Sequence, residues 1–413
     1  MARFTCDPLC LATMIQSGTQ SNFSNRIEAD VAIVGAGFAG AAAAYHLTAK
    51  GISRIVVLDK EERTGVHSSG RNAAMVRQVT SDAINNEMTR HGAAAIREFA
   101  SRDGWKHLFR PSGSLLLARH EKREQLEIDA NDARANGLDV ELWDAETTLE
   151  RYPSLKKIID PQLVGSACFC PSDGVVDIEA LLDFYLTTAQ ERGAQVILGA
   201  GVSEVFVNES RVEGLRFGET EVRAQVVVNA AGGWARPIGD MAGAAPVPLR
   251  ATRRHIYITK EIDSVPPELP FVWDLEREVY FRPEAGGVML SPCDEGHENR
   301  NLQTDEVRSF ALRMLRAKVR DQFPGLADFE VARSWSGIRT LTEDGRLMIG
   351  PDPKLKGFFW AAGLGGHGLT VSSAVGELTA ELIETPARNE SNPHRPTRFT
   401  PERMREIAAI QRV

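Results

Sequence analysis

The stretch Glu28–Gly40, "EADVAIVGAGFAG", decides the fold. Val31 to Val34 is a short apolar run that stops at glycine, the pattern of a parallel strand buried on both faces. Small residues follow in "FAGAAAAYHLTAKG", a helix stopped by Gly51. "RIVVLDK" (54–60) is a second buried strand, which closes a βαβ unit of about thirty residues. Between first strand and helix stands Gly35-Ala36-Gly37-Phe38-Ala39-Gly40, a GxGxxG turn. Gly35 makes the turn, Gly37 lets the backbone approach a pyrophosphate at the helix N-terminus, and Gly40 lets helix and strand pack closely. Asp59 ends the second strand 19 residues after Gly40, where a carboxylate takes ribose hydroxyls. The combination predicts a dinucleotide site. It does not separate NAD from FAD, since both use it. Two more glycine-rich turns, "NAAGGWA" (229–235) and "GLGGHG" (363–368), follow apolar strands far downstream. One ligand touching all three must be long, which favours FAD.

Outward from that unit, 413 residues allow two or three domains. Hydrophobic content of 43% and charged content of 25% fit a soluble globular chain. The net charge of −8 argues against nucleic acid as main partner, because phosphate binding needs a basic surface. The five cysteines, Cys6, Cys10, Cys168, Cys170 and Cys293, form no framework and read as free thiols in a reduced compartment. Cys168-Phe-Cys170 lacks the gap of a zinc or redox pair, and no metal is expected. No apolar run reaches the ~18 residues of a membrane span. The first 25 residues are polar and irregular, unlike a signal peptide. A cytoplasmic protein is predicted, peripheral to the inner face of a membrane if a quinone accepts its electrons. A monomer or homodimer is expected.

Later segments alternate between two patterns. Residues 177–190 and 304–323 read as helices, while "RRHIYITK" (253–260) and "EVYFRPEAGGVMLSP" (278–292) read as antiparallel strands. The predicted fold class is α/β plus antiparallel β: a Rossmann-like domain (29–105, 175–248, 333–385) interleaved with a mostly antiparallel substrate domain (106–174, 249–332). Residues 1–28 form a mobile extension and 386–413 a tail.

Eight motifs in order, "IVGAGFAG", "VVLDK", "GVHSSGRNAAM", "VVVNAAGGWA", "RRHIYI", "VYFRPEAGG", "WSGIRTLTEDGRLMIG" and "GFFWAAGLGGHGLTVSSAVGE", cover about Ala29 to Ile383. Their set resembles the D-amino-acid oxidase/glycine oxidase/sarcosine oxidase family of FAD enzymes, and most nearly its bacterial D-arginine dehydrogenase type. The resemblance implies extended FAD, with Gly35, Ala36, Gly37, Gly40, Asp59 and Lys60 on the ADP half. Ser68, Ser69, Gly70, Arg71 and Ala73 would follow the ribityl-pyrophosphate and flavin edge. Val205, Ala230 and Gly232 are further implied contacts, and Gly366, Gly368, Leu369 and Thr370 would meet the flavin's pyrimidine end. Arg254, Arg339 and Tyr280 would hold a substrate carboxylate, which suits the bidentate guanidinium fork. Strand alternation then turns Arg253 outward. His367 is a candidate for tuning the flavin or the amine.

Departures from the resembling sequences sharpen the expectation. Sarcosine oxidases attach FAD to a cysteine in the segment matching "GIRTLTEDG"; its absence here predicts non-covalent FAD. Their oxygen-activating lysine matches Met289, which favours a non-oxygen acceptor such as a quinone. Their substrate-binding lysine matches Thr370. The acid that reads a guanidinium in the D-arginine enzymes matches Ser114, and their histidine and tyrosine match Met75 and Thr80. The expectation is therefore oxidative deamination of a small D-amino acid with a neutral side chain. Hydride would pass from Cα to flavin N5, and the imine would give a 2-oxo acid and ammonia. Secondary amines (sarcosine, glycine, a proline derivative or an opine) are the alternative, as is a non-catalytic flavoprotein subunit.

Overall fold

The computed structural model describes residues 26–297, 307–384 and 398–404. Cys6 and Cys10, most of the expected N-terminal extension and most of the tail lie outside them.

Five parallel strands form the spine of the first sheet. Arg26–Val34 lies between Ile55–Leu58 and Thr220–Asn229. Gln195–Ile197 adds beyond Ile55–Leu58, and Phe358–Ala362 beyond Thr220–Asn229. Strands thus wind off in both directions from Arg26–Val34, and a crevice opens at their carboxyl ends. The strands Val202–Asn208 and Arg211–Phe217 pair antiparallel and extend the first half of Thr220–Asn229. The first helix, Phe38–Ala49, explains its alanines: Ala41, Ala42, Ala43 and Ala44 are all buried. A Cβ on Gly376 of the Ser372–Glu384 helix would come within 2.4 Å of the Ala42 carbonyl carbon, so only small residues let the two helices touch.

The second sheet has nine strands and is mostly antiparallel. Arg250–Thr259 pairs with Val331–Leu341 over ten register positions and also meets Gly287–Ser291. Val279–Glu284 and Phe271–Asp274 follow in order, and the latter runs parallel to Ser114–Ala118. Ser309–Gln322 covers one face of this sheet with Ala311, Leu315 and Val319, four residues apart as helix geometry requires. This helix and Ile178–Glu191, which is capped by the Asp177 side chain, sit within two residues of the expected bounds at their C-terminal ends. The first of the two begins five residues later than read, at Ser309, and residues 298–306 lie outside the described ones. The α/β plus antiparallel β architecture is the one expected. Cys168 and Cys170 are buried free thiols, with Cys168 pushed up to about 12 by burial, which makes it inert. No helix among the described residues is long and apolar enough to cross a membrane.

Candidate active site

A cavity of about 540 Å³ runs from the crevice of the parallel sheet to the face of the antiparallel one. At its first end the glycine turn is built as its spacing requires. A Cβ on Gly40 would sit 1.8 Å from the Gly35 carbonyl oxygen, and one on Gly35 would meet the Ala230 oxygen at 2.5 Å. Asp59 Oδ2 accepts from the Ala36 N–H at 2.8 Å and Oδ1 from the Glu61 N–H at 2.9 Å. Two carboxylate oxygens carry about four acceptor sites, so capacity remains for a ribose. Lys60 Nζ lies 3.5 Å from the centroid of the Trp234 ring, and the His67 ring packs tilted at 48° against the same indole, with centroids 4.4 Å apart.

The Ser68–Arg71 loop crosses the start of the first helix. Ser69 Oγ accepts from the Phe38 N–H at 3.0 Å and so caps a helix whose own cap residue, Gly37, has no side chain. Ser68 Oγ donates to the Ile338 carbonyl oxygen, and Arg71 Nε donates to the Val66 oxygen. Gly70 is a packing glycine: its Cβ would lie 1.9 Å from the Gly65 oxygen.

At the other end the antiparallel sheet presents its charges. Arg254 stands opposite Gly337 and Arg339 opposite Thr252, so the two arginines share a face. Arg254 Nε donates to the Asp294 carbonyl oxygen at 2.9 Å, and Nη2 meets Glu295 Oε1 at 3.2 Å. Arg339 has no ion-pair partner among the described residues. Its guanidinium is held against the glycine loop, where a Gly366 Cβ would lie 2.7 Å from Cζ. Burial, and then the charge of Arg254, lower Arg339 to about 10. Tyr280 is buried beside Trp273, with ring centroids 4.7 Å apart. Burial raises its phenol pKa, so it is neutral.

The glycine loop bends through positive φ at Gly363, Gly365 and Gly366. Its backbone is tied to the arginine strand by the Gly365 N–H, which donates to the Thr340 oxygen at 2.9 Å. His367 is pulled down to about 3 by burial first, then by Arg77, Arg339 and Arg254, so it is a neutral imidazole at pH 7.

Of the residues expected at the site, most line this one cavity: Gly35, Gly37, Asp59, Lys60, Ser68, Ser69, Arg71, Ala73, Ala230, Gly232, Arg254, Tyr280, Arg339 and the 366–370 loop. Ala36, Gly40 and Gly70 shape its wall from behind. Val205 does not line it. That side chain packs in an apolar layer beside Leu215, and Val202, three residues earlier, faces the cavity instead. Arg253 is not outward: it is 1% exposed and Nη1 donates to Ser336 Oγ at 2.7 Å. Alternation does turn it away from Arg254, but that second face is covered too. Ser114 is buried and donates to Asp173 Oδ2 at 2.6 Å, away from the cavity. Thr80 likewise binds Asn86, whereas Met75 does line the cavity. Met289 packs in the apolar cluster with Tyr280. Its cross-strand partner is Arg282, whose Nε donates to the Ala73 oxygen at 2.9 Å. That guanidinium is ion-paired with Glu284 and does not line the cavity, so it does not stand in for the missing lysine.

Sequence reasoning missed Arg77, Trp273, His67 and Cys293, all lining residues. Arg77 had a signal. It lies two residues beyond Met75, just past the two-residue strand Met75–Val76, and both side chains line the cavity.

The residues fit FAD on the structure's own terms. The glycine cradle admits no Cβ, His67 Nδ1 is a buried nitrogen without a partner, and one cavity joins the ribose acid to the arginines.

Comparison with known proteins agrees. Residues 30–382 match the family model described as "FAD dependent oxidoreductase" (DAO). The chain is 27% identical over 361 residues to 4-methylaminobutanoate oxidase (formaldehyde-forming) of Paenarthrobacter nicotinovorans, covering 85% of this chain and 43% of that protein. It is 24% identical to the mitochondrial pyruvate dehydrogenase phosphatase regulatory subunit of Mus musculus (86% of this chain, 41% of that one). It is 26% identical to mitochondrial sarcosine dehydrogenase of Homo sapiens (86% and 39%). The chain thus spans about two fifths of the length of these curated relatives. In fold it resembles L-proline dehydrogenase from P. horikoshii, with a TM-score of 0.82, 22% identity, and coverage of 92% of this chain and 99% of that one. The narrower kinship expected with D-arginine dehydrogenases gains no support, since two of these relatives act by name on N-methyl amines. Matched over residues 30–382, the chain belongs to the DAO family of FAD-dependent oxidoreductases.

Proposed function

We propose that this chain oxidises the C–N bond of a secondary amine that carries a carboxylate, such as an N-alkyl amino acid. One observation supports it above others: Arg254, Arg339 and Tyr280 converge with the 363–370 glycine loop on a cavity that also reaches the GxGxxG turn. The secondary amine, rather than the primary D-amino acid read first from the sequence, follows the names of the 4-methylaminobutanoate oxidase and sarcosine dehydrogenase relatives.

Gly35, Gly37, Asp59 and Lys60 would hold the ADP half of FAD, and Gly366, Gly368, Leu369 and Thr370 the flavin end. When bound, FAD supplies the two-electron oxidant for the C–N bond. The chain's own residues orient and exclude. Arg339 and Arg254 grip the carboxylate, which fixes the carbon next to nitrogen. Tyr280, neutral and buried, is available to donate a hydrogen bond to the same group. His367, also neutral, leaves a free-base amine free of competing charge, and Trp273 and Ile256 keep water from the reacting carbon. The imine product gains water outside this step and falls to an amine and a carbonyl compound. The Arg282 charge is balanced by Glu284, so the absence of a lysine at Met289 still favours a non-oxygen acceptor.

The test is anaerobic addition of N-methyl amino acids and of primary D- and L-amino acids to the yellow protein. Bleaching by the N-methyl set is expected. Bleaching only by primary amino acids would restore the deamination reading. No bleaching by any amine would point to the non-catalytic alternative, consistent with the regulatory-subunit relative.

A further inference from the structure

Three guanidinium groups, not two, face the substrate end of the cavity. Arg77 is the third, and nothing in the carboxylate grip described above requires it. Its Cζ lies 4.2 Å from the centroid of the Trp273 ring, and that ring in turn meets Tyr280. Its own backbone N–H donates to Thr370 Oγ1 at 3.4 Å, where the glycine loop enters its helix. Stacking on an indole orients a guanidinium but leaves its N–H edge free.

Charge does not balance at this end. Arg254 meets Glu295, whereas neither Arg77 nor Arg339 has an ion-pair partner among the described residues. The carboxylates that act on Arg77 from a distance are already engaged: Asp173 by Ser114 and Gln78, Asp129 by Gln125. Burial lowers the pKa of both Arg77 and Arg339. Desolvated cations without partners are costly, and an anion that reaches them recovers part of that cost. One carboxylate accepts one fork bidentately and fills one of these positions. It leaves the other cation half-buried and unpaired.

We propose that the substrate bears two carboxylates, the first on Arg339 and Arg254 and the second on Arg77, so that Arg77 sets specificity for a dicarboxylic amine. The second acid belongs either to the nitrogen substituent or to the side chain. This rests on the oxidation proposed above for the class of reaction, but the binding of two acids can be read without turnover. It also replaces the neutral side chain expected from Ser114, because Ser114 does not reach the cavity and Arg77 does.

Two measurements on the FAD-loaded full chain test it. The first is titration with non-oxidisable succinate or glutarate against propionate, followed by perturbation of the flavin absorbance. The dicarboxylates are expected to bind roughly ten- to hundredfold more tightly, the worth of one charge-assisted hydrogen bond. Arg77→Gln is expected to remove that preference and Arg77→Lys to keep part of it. Equal binding of mono- and dicarboxylates by the unmodified protein overturns the proposal, whatever the variants do. The second is anaerobic reduction by iminodiacetate and N-methylaspartate against sarcosine. The ratio of kcat/KM values should favour the dicarboxylates and fall towards one in Arg77→Gln. If sarcosine matches them, the proposal fails while the oxidation stands. If no amine reduces the flavin but dicarboxylate binding holds, the oxidation fails and the two-acid site stands. The position of the better second acid, on nitrogen or on the side chain, tells the two sources apart.

Discussion

Arg254 and Arg339 face the same cavity from neighbouring antiparallel strands, two rungs apart, with Arg254 opposite Gly337 and Arg339 opposite Thr252. The glycine opposite Arg254 admits the Arg71 backbone, whose carbonyl oxygen would lie 3.0 Å from a Cβ there, and the next inward residue along is Arg339. Two guanidinium groups at this spacing repel one another, and a carboxylate is the natural bridge between them.

Truncation of one arm should therefore be felt in substrate capture. Arg339→Ala is expected to lower kcat/KM by roughly a hundredfold, the scale of losing one partner of a buried charge pair. Flavin content should stay near that of the unmodified protein. Steady-state kinetics under anaerobic conditions with an artificial acceptor measure this. A variant with unchanged kcat/KM would remove Arg339 from the substrate site.

The glycine loop matters through its contact with that arginine. At Gly366, φ is +101° and an added Cβ would touch the Arg339 guanidinium at 2.7 Å. Gly243 also has positive φ, +63°, but open space around it and no place in the cavity lining. Gly366→Ala should displace Arg339 and cost roughly tenfold or more in kcat/KM, while Gly243→Ala pays only its local strain of about 1 kcal/mol in stability. Equal effects on activity would show that the contact with Arg339 is immaterial.

Gly40→Ala probes the other end. The new methyl would stand 1.8 Å from the Gly35 carbonyl oxygen, a backbone atom that cannot swing aside. The turn and helix must separate, at about 1–3 kcal/mol for overpacking. The purified variant should melt several degrees lower and carry less than the full complement of flavin. Full yellow colour with an unshifted Tm would contradict the tight turn.

Stability should decline as pH falls from 6.5 towards 3. His367 is lowered to about 3 by burial and by the Arg77, Arg339 and Arg254 charges, and His46 to about 4 by burial and nearby cations. Folded-state pKa values below the unfolded value mean that the unfolded chain takes up protons first, so acid favours unfolding across this window. Asp173 works the other way. Burial raises it to about 6, so its contribution falls as pH rises from about 4 to 6. Chemical denaturation at several pH values, compared with His367→Gln, reads the difference. The variant should show the shallower acid slope, and parallel slopes would mean that His367 is not held neutral by the fold.

The flavin should be released on acid precipitation, because "GIRTLTEDG" has no cysteine. Yellow colour that remains in the washed pellet would establish a covalent bond.

The nucleotide end of this protein was legible because its determinants are local. Gly35, Gly37, Gly40 and Asp59 lie within one βαβ unit, and chain geometry alone places a helix N-terminus, a close backbone and an acid together. The eight ordered motifs extended that reading to the arginine pair and to the family. Strand alternation, by contrast, shows only which neighbours share a face. It could not show that both faces of Arg250–Thr259 are covered, and so it misplaced Arg253. The same limit hid Val202 behind Val205, where two register shifts along Val202–Asn208 change which side chains face inward. By itself, then, the sequence determined the doubly wound fold and the dinucleotide turn, which depend on residues near in the chain, and the FAD chemistry, which needed the ordered motifs spread from Ala29 to Ile383. Only the tertiary structure decided what the substrate end holds. Arg77, Trp273 and Arg339 come from segments separated by scores of residues, and it is folding that removes them from water and stacks one against another. Their unbalanced charge exists only once they share a cavity.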